Sequence, residues 1–289
     1  MRLGMRMGLN SRQLGGTRLD PDAKLYIAAV EAALGATIGS ALPDASRDPK
    51  KIISDFYVAE RDDVRYSLHK RIFLPIYNNL AANAVDAITT TSGTFPISGS
   101  VTVAPGYVQG NGTTGYFDFG VTPSALGITT GSGSLFGLCL QAPSGTTFAG
   151  LVSSFDSSDA NRAFDLGHSE AGQIRFTHNS TSANLNLALA RASQVGIFIG
   201  SRSAGSRYIY RRQSSGFSTP ATSTSADAGT VPTTKTIAAM RSQFGTGSAY
   251  SDGQYGIFGV GLGLTPTQAE GYSLNLKNLW ENLTGLALP

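Results

Sequence analysis

The segment RYIYRR, at residues 207–212, concentrates the side chains that are best suited to recognising a ligand. Tyr208 and Tyr210 offer flat faces on which a sugar or a base can stack, and Arg211 offers a planar fork of hydrogen-bond donors. In a strand, Ile209 would point to the side opposite both tyrosines. The alternative interpretation is a half-exposed edge strand that its charged residues keep soluble.

Residues that could catalyse a reaction are sparse in the second half of the chain. A retaining glycosidase needs two carboxyl groups about 5 Å apart, which on a strand requires alternating acidic residues on one face. After residue 81 the glutamates are Glu170, Glu270 and Glu281, and no such run occurs. The segment GHSEA, at 167–171, resembles a nucleophile elbow, but its final glycine comes one place late. We therefore predict a protein without enzymatic activity.

The segment DSSDAN contains three candidate calcium ligands. Asp156, Asp159 and Asn161 could bind the ion through side-chain oxygens, although their spacing follows no strict motif. A solvated turn is the alternative, because Asp and Asn are common in turns. The three histidines are scattered and show no zinc-ligand spacing. No other cofactor is predicted.

The composition is typical of a β protein rich in turns. The chain has 289 residues, of which 35 are glycine, and only 14% are charged. An apolar content of 41% is too high for a disordered chain. The single Cys139 excludes an internal disulfide and is predicted to be a small buried residue.

The distribution of charge bears on possible partners. The net charge is +3, and residues 81–289 hold ten basic and ten acidic residues, which argues against a nucleic-acid groove. No apolar run reaches the roughly 18 residues of a membrane span. The basic start of the chain lacks the apolar stretch of a secretory signal. We predict neither a nucleic-acid partner nor a membrane partner.

Helix-start signals flank the glycine-rich body of the chain. Asp20-Pro21 predicts a helix that ends at Gly35, and Asp48-Pro49 predicts a second over residues 50–59. A third is predicted over residues 64–73. Thr265-Pro266 begins a final helix over residues 264–283. The apolar stripe of that helix is Ala269, Tyr272, Leu276, Leu279, Trp280 and Leu283.

From residue 93 the apolar pattern changes to the period of two that is typical of strands. The candidate strands are residues 99–103, 116–121, 134–140, 148–153, 162–166, 173–177, 195–201, 207–212, 236–241 and 255–262. Asn111-Gly112 predicts a tight hairpin turn before residues 116–121. Residues 213–236, rich in Ser and Thr, predict a long surface loop or a ragged sheet edge. About ten short strands at this spacing indicate an antiparallel two-sheet sandwich.

Several segments resemble one family. GNGTTGYFDFG, at residues 110–120, resembles the signature G-[ND]-G-[ST]-x-Y-x-[DN]-x-G, which opens concanavalin A-like (laminin-G-like) sandwich domains of bacteriophage structural proteins. LDPDAKLYIAAVEAA at 19–33, PIYNN at 75–79 and LTPTQ at 264–268 resemble other segments of these proteins. The resemblance implies a mainly β fold, a concanavalin A-like jelly roll with an N-terminal arm, a small helical region and a C-terminal helix.

The resemblance also implies a division of the chain. We expect an extended arm at residues 1–18, a helical docking region at 19–92, the sandwich at 93–263 and a closing helix at 264–289. The arm carries four arginines and no acidic residue, and is either a disordered terminus or a tether that binds a partner. The resemblance favours the tether. Its arginines are Arg2, Arg6, Arg12 and Arg18.

The implied function is structural. The resemblance suggests a non-enzymatic virion protein, made in the host cytoplasm and docked on capsid or tail, with other virion proteins and copies of itself as partners. The alternative is a carbohydrate-binding adhesin at a fibre or tail tip that contacts a host surface glycan. The fold alone does not decide between them, because this sandwich carries many functions.

Overall fold

The computed structural model describes residues 18–43, 47–96, 99–144, 148–155, 163–169, 172–179, 184–218, 220–224, 229–244 and 247–289. The α-helices are α1 (Pro21–Leu34), α2 (Pro49–Asp62), α3 (Leu80–Asn83) and α4 (Pro266–Thr284). The first strands are β1 (His69–Phe73), β2 (Val101–Ala104), β3 (Tyr107–Gly110), β4 (Phe117–Asp118), β5 (Gly133–Gln141), β6 (Ala149–Phe155), β7 (Ala163–Ser169) and β8 (Gln173–His178). The later strands are β9 (Leu185–Ala188), β10 (Gly196–Ser203), β11 (Ser206–Gln213), β12 (Gly216–Phe217), β13 (Ala221–Ser223), β14 (Ala238–Ala239), β15 (Arg241–Phe244), β16 (Gly247–Tyr250) and β17 (Gln254–Gly261).

The described strands form one large and one smaller sheet, and neighbouring strands in both are antiparallel. The nine-stranded large sheet has the order β12-β11-β10-β5-β17-β3-β2, with β1 beside β17 and β13 beside β11. The six-stranded small sheet has the order β4-β14-β6-β7-β8-β9, and β15 and β16 form a separate antiparallel pair. The predicted mainly β, antiparallel sandwich with a C-terminal helix is confirmed.

The large sheet lies between the small sheet and a layer of helices. On β5, Leu135 and Cys139 pack with the small sheet, whereas Phe136 and Leu138 pack with the helices. Alternate side chains of a strand point to opposite faces, so β5 is buried on both sides. The buried position of Cys139 agrees with its predicted role. The helices and the large sheet share one apolar cluster. The predicted division of the chain into regions, with boundaries at residues 92/93 and 263/264, stays a prediction.

The capping signals in the sequence correspond to the observed helix ends. The Asp20 carboxylate accepts hydrogen bonds from the first-turn amides of α1, and Gly35 ends that helix with a left-handed φ of 65°. Asp48 caps α2 in the same way. Thr265 and Gln268 form a reciprocal capping box at the start of α4. All six residues of the predicted stripe on α4 are buried.

The predicted helix over residues 64–73 is wrong. Val64 has a positive φ of 57°, and His69–Phe73 form strand β1 at the side of β17. Ile72 packs with the helices and Phe73 packs with the small sheet. Two consecutive apolar residues that are buried on opposite faces resemble a helical stripe in the sequence, which explains the error.

The predicted hairpin at Asn111-Gly112 is also wrong. The Asn111 side-chain oxygen accepts hydrogen bonds from the amides of Thr113, Thr114 and Gly115, so the segment is a side-chain-stabilised loop. The strand before it, β3, pairs with β2 and β17, whereas β4 after it pairs with β14 in the other sheet. The loop therefore carries the chain from one sheet to the other.

Other predicted strands are correct within a few residues, and the differences lie at the sheet edges. The predicted strand over 116–121 is only Phe117–Asp118, and that over 236–241 is divided between β14 and β15 at Met240, which has a φ of 62°. Strands β9 and β16 were not predicted. Within residues 213–236, β12 and β13 pair with β11, so the ragged edge is the correct alternative.

Candidate functional site

Three aromatic rings lie in a stack along one edge of the large sheet. The rings of Tyr208 and Tyr210 are 5.5 Å apart and inclined by 21°, and those of Tyr210 and Phe217 are 5.5 Å apart and inclined by 18°. We call Tyr208, Tyr210 and Phe217 the aromatic row. Tyr208 and Phe217 are half-buried, whereas Tyr210 is buried. The row thus offers flat apolar faces at its two ends.

Strand geometry places the row on the helix side of the large sheet. Tyr210 belongs to the apolar cluster formed with the helices, whereas Ile209 packs with the small sheet, as predicted. The Tyr210 hydroxyl is buried and has no hydrogen-bond partner among the described residues. Burial raises the pKa of this hydroxyl well above its usual value, so it stays a protonated donor.

Arg211 does not lie beside the tyrosines. Residues 207, 209 and 211 share one face of β11, and residues 208, 210 and 212 share the other. The Arg211 Nε donates to the Val195 carbonyl at 3.0 Å, and a second guanidinium nitrogen donates to the Ser193 carbonyl. The structure therefore brings Tyr208 and Tyr210 together, and it turns Arg211 towards the backbone of a neighbouring loop.

Arg212 occupies the place that sequence reasoning assigned to Arg211. Its guanidinium carbon lies 5.2 Å from the Phe217 ring. Its Nε donates to Ser273 Oγ at 2.7 Å, and its Nη2 donates to the Glu270 carbonyl at 3.1 Å. Arg212 thus fixes α4 against the end of the aromatic row. The alternation of side chains along a strand, which placed Ile209 correctly, also predicts that Arg212 lies on the same face as the two tyrosines.

A second set of aligned side chains lies on the outer face of the small sheet, and four of its five members are buried. Asp118, Ala238, Ser153, Asp165 and Thr177 lie directly opposite one another on five adjacent strands. Their side chains share the face that points away from the large sheet, because their chain neighbours Phe117, Ala239, Val152, Phe164 and Phe176 pack in the core between the sheets. Four of these five side chains are polar. No pattern in the sequence pointed to this set.

Two buried titratable groups of the small sheet have pKa values shifted by burial. Burial raises the pKa of Asp165 to about 6, although Arg175 lies 3.2 Å away and opposes the shift. Burial lowers the pKa of His168, on the inner face, to about 4. As the pH falls, His168 takes up its proton more readily in the unfolded chain, which lowers the free energy of unfolding. Asp165 takes up its proton more readily in the folded chain, which raises the free energy of unfolding. The two effects therefore oppose each other between about pH 6 and pH 4.

His168 and His178 are not close neighbours. Strand pairing places His178 opposite Phe164 and His168 opposite Ile174, at two ends of the β7–β8 pair. His168 Nδ1 lies 2.8 Å from the side-chain oxygen of Gln194. The GHS of GHSEA lies within β7, which leads to β8 and not to a helix, so it is no nucleophile elbow.

Several predicted site residues lie outside the described residues. These are Asp156, Asp159 and Asn161 of the candidate calcium loop, and Arg2, Arg6 and Arg12 of the arm. Arg18 is described and is exposed just before α1. Within the described ranges no group of three or more His, Cys, Asp or Glu side chains could hold a metal ion. None of the helices described is both long and apolar enough to cross a bilayer.

Comparisons with known proteins give distant structural similarity only. No family model matches the chain, and no curated protein matches it. The sialidase of Trypanosoma rangeli, in complex with sialic acid, is similar with a TM-score of 0.49 and 8% identity, over 78% of this chain and 38% of the sialidase. Our chain thus spans well under half of that protein.

Two smaller carbohydrate-binding structures are also similar. The CBM40 of the Ruminococcus gnavus IT-sialidase, bound to α2,3-sialyllactose, has a TM-score of 0.42 and 13% identity over 58% of this chain and 96% of its own. Domain 4 of a GH43 arabinanase from Geobacillus stearothermophilus, in complex with arabinotriose, has a TM-score of 0.45 and 14% identity. It covers 71% of this chain and 98% of its own.

Proposed function

We propose that the chain is a non-enzymatic structural protein of a bacteriophage virion, docked on capsid or tail through its N-terminal region. One observation carries the proposal: the segments at 19–33, 75–79 and 264–268, which resemble phage structural proteins, meet in one layer. The Tyr26 hydroxyl of α1 lies 3.1 Å from the Tyr77 hydroxyl of the PIYNN segment. Both residues belong to the apolar cluster that includes Tyr272 of α4.

The order of the layers determines which face of the docked protein would point away from the particle. Arg18 is exposed at the start of α1, so the arm is attached to the helix layer. The large sheet separates that layer from the small sheet. An arm that binds a partner at the helix layer would therefore leave the outer face of the small sheet pointing away from the particle.

Particles purified from the virus that encodes the chain test this proposal. We expect mass spectrometry to find the protein in them at a constant copy number. A variant without residues 1–18 should keep its melting temperature and be lost from the particles, because only the tether is removed. Absence of the full chain from the particles, or undiminished incorporation of the shortened one, would contradict the proposal.

The aromatic row supports a second candidate function, a carbohydrate-binding adhesin. A sugar ring has an apolar face that stacks on aromatic side chains, and Tyr208 presents a half-buried ring at the end of the row. One protein could both dock on a particle and bind a glycan, because the arm and the aromatic row consist of different residues.

Tyr208→Ala is expected to weaken glycan binding at least tenfold, since it removes the ring on which the sugar would stack. Tyr208→Phe is the matched control: it keeps the ring and should bind nearly as well as the unmodified chain. A glycan array identifies the ligand, and titration of that glycan gives the dissociation constants. Equal binding by Tyr208→Ala and the unmodified chain, with unchanged melting temperatures, would exclude the row as a sugar site.

A further inference from the structure

A small cleft opens on the outer face of the small sheet, across β4, β14 and β6. Its volume is about 180 Å³. Ala238 lines the cleft and is paired with Asp118 on one side and Ser153 on the other, so only a methyl group stands between these two polar residues. Lys235 and Arg241, on the two sides of β14, complete the lining with two positive charges. The cleft has no residue in common with the aromatic row.

Arg241 is positioned by aromatic rings. Its guanidinium carbon lies 4.5 Å from the centre of the Tyr116 ring and 5.9 Å from that of the Tyr250 ring. Its Nε is buried and has no hydrogen-bond acceptor among the described residues. Because Nε is out of reach of solvent, a ligand would meet only the accessible remainder of this half-buried side chain.

The remaining groups of the cleft combine one positive charge with oxygen acceptors. Lys235 is exposed, and its carbonyl accepts a hydrogen bond from Ser154 Oγ at 2.9 Å, which fixes its backbone at the rim. The Asp118 carboxylate accepts from the Gly120 amide at 2.8 Å and from Thr236 Oγ1 at 3.0 Å. It retains further lone pairs that can accept hydrogen bonds from a ligand.

This combination restricts the ligand. A planar guanidinium pairs with a carboxylate or phosphate through two parallel hydrogen bonds, and a nearby ammonium adds a point charge. The Asp118 carboxylate in the same cleft disfavours a doubly charged phosphate, whereas its oxygens and the Ser153 hydroxyl suit sugar hydroxyls. The cleft is smaller than the roughly 300–1,000 Å³ of sites for drug-sized ligands, which favours one ring.

We propose that this cleft binds a single sugar unit that carries a carboxylate. Arg241 and Lys235 hold the carboxylate, and the Asp118 carboxylate and the Ser153 oxygen accept hydrogen bonds from the ring hydroxyls. The site is separate from the tether and from the aromatic row, so it neither requires nor excludes a virion location. On the docked protein it would lie on the face that points away from the particle.

Titration of the full chain with simple glycosides tests the proposal. The probes are methyl β-glucuronide, methyl α-N-acetylneuraminide, the neutral methyl β-glucoside and glucose 6-sulfate, each followed by calorimetry or amide chemical shifts. We expect at least one carboxylated sugar to bind at least tenfold more tightly than the glucoside and the sulfate. Which of the two binds distinguishes a uronic acid from a sialic acid as the natural ligand.

Variants assign the binding to the cleft. Lys235→Met and Arg241→Gln should each raise the dissociation constant at least fivefold, and Lys24→Met, an exposed lysine on α1, should leave it unchanged. Lys235 is exposed, so its variant tests the site even if Arg241→Gln destabilises the fold. Three results would overturn the proposal: no saturable binding, equal affinity for the neutral or sulfated sugar, or an unchanged constant for Lys235→Met. Loss of binding in Tyr208→Ala would also overturn it, because it would place the sugar on the aromatic row.

Discussion

Replacing Glu60 with alanine is expected to lower the free energy of unfolding by about 3–5 kcal/mol, because it removes the buried carboxylate that Arg65, His69 and Asn275 share and leaves the buried Arg65 with only the exposed Asp63 as its partner. Glu60 is fully buried on α2. Its two oxygens accept hydrogen bonds from Arg65 at 2.9 and 3.1 Å, and from Asn275 of α4 at 2.7 Å. His69 Nε2, on β1, lies 2.7 Å from the same carboxylate. One side chain therefore connects two helices and the first strand.

Thermal unfolding followed by circular dichroism measures this effect. At about 2–4 °C per kcal/mol for a chain of this size, the melting temperature of Glu60→Ala should fall by about 10 °C. Asp55→Ala is the control on the same helix, because its ion pair with Lys51 is exposed and should contribute less than about 1 kcal/mol. If the two variants melt together, the buried cluster does not stabilise the fold.

The pKa of Glu60 adds a dependence on pH. Burial alone would raise this pKa, but the hydrogen bonds from His69 and Arg65 outweigh it and lower the pKa to about 2. A lowered pKa for an acid means that its stabilisation is complete above the unfolded value of about 4.3. The stabilisation is lost as the pH falls from there through about 2. The difference in the free energy of unfolding between Glu60→Ala and the unmodified chain should therefore become smaller below about pH 4.

Replacing Trp280 with alanine is expected to cost about 3–5 kcal/mol, the usual range for a fully buried tryptophan. The indole is buried between α4 and the large sheet, and its Nε1 donates to the Gly106 carbonyl at 3.1 Å. A methyl group on Gly256 of β17 would approach that nitrogen to 2.6 Å, which shows how closely the helix packs on the strand. The substitution leaves a cavity at this contact.

Two further variants separate packing from hydrogen bonding. Trp280→Phe keeps most of the buried ring and loses the hydrogen bond, so its cost should be nearer about 1–3 kcal/mol. Leu274→Ala, at a position that is 43% exposed on the same helix, should stay within about 0.5 kcal/mol of the unmodified chain. Urea unfolding followed by far-UV circular dichroism compares all three, because Trp280 is the single tryptophan and fluorescence would lose its reporter. Similar costs for Trp280→Ala and Leu274→Ala would contradict the argument.

The predictable parts of the fold are those that local chemistry decides. Helix starts at Asp20, Asp48 and Thr265 follow from capping, and the central strands follow from apolar runs between glycines. Strand β1 was not predictable in this way, because its neighbours come from β17, some 190 residues later in the chain. The two-residue strands β4 and β14 likewise depend on partners far away in the sequence, since β4 pairs with β14 and β14 pairs with β6.

The aromatic row and the cleft also differ in how far the sequence predicts them. Tyr208 and Tyr210 lie two residues apart on one strand, so alternation alone predicts that they share a face. The cleft combines Asp118, Ser153 and Arg241, which come from distant parts of the sequence. Only the pairing of β4, β14 and β6 brings them together, and no spacing rule applied to the chain describes that pairing.

The position of α4 affects how the protein is made. Ribosomes synthesise this helix after every strand that it covers, including β5, whose Phe136 ring lies 5.0 Å from Tyr272. On the nascent chain Phe136 and Leu138 therefore lack this cover until residues 266–284 have emerged from the exit tunnel. The pairing of β1 with β17 waits nearly as long, until residues 254–261 have emerged, and such distant closures are slow. The interval is one in which a molecular chaperone would protect the unfinished sheet from aggregation.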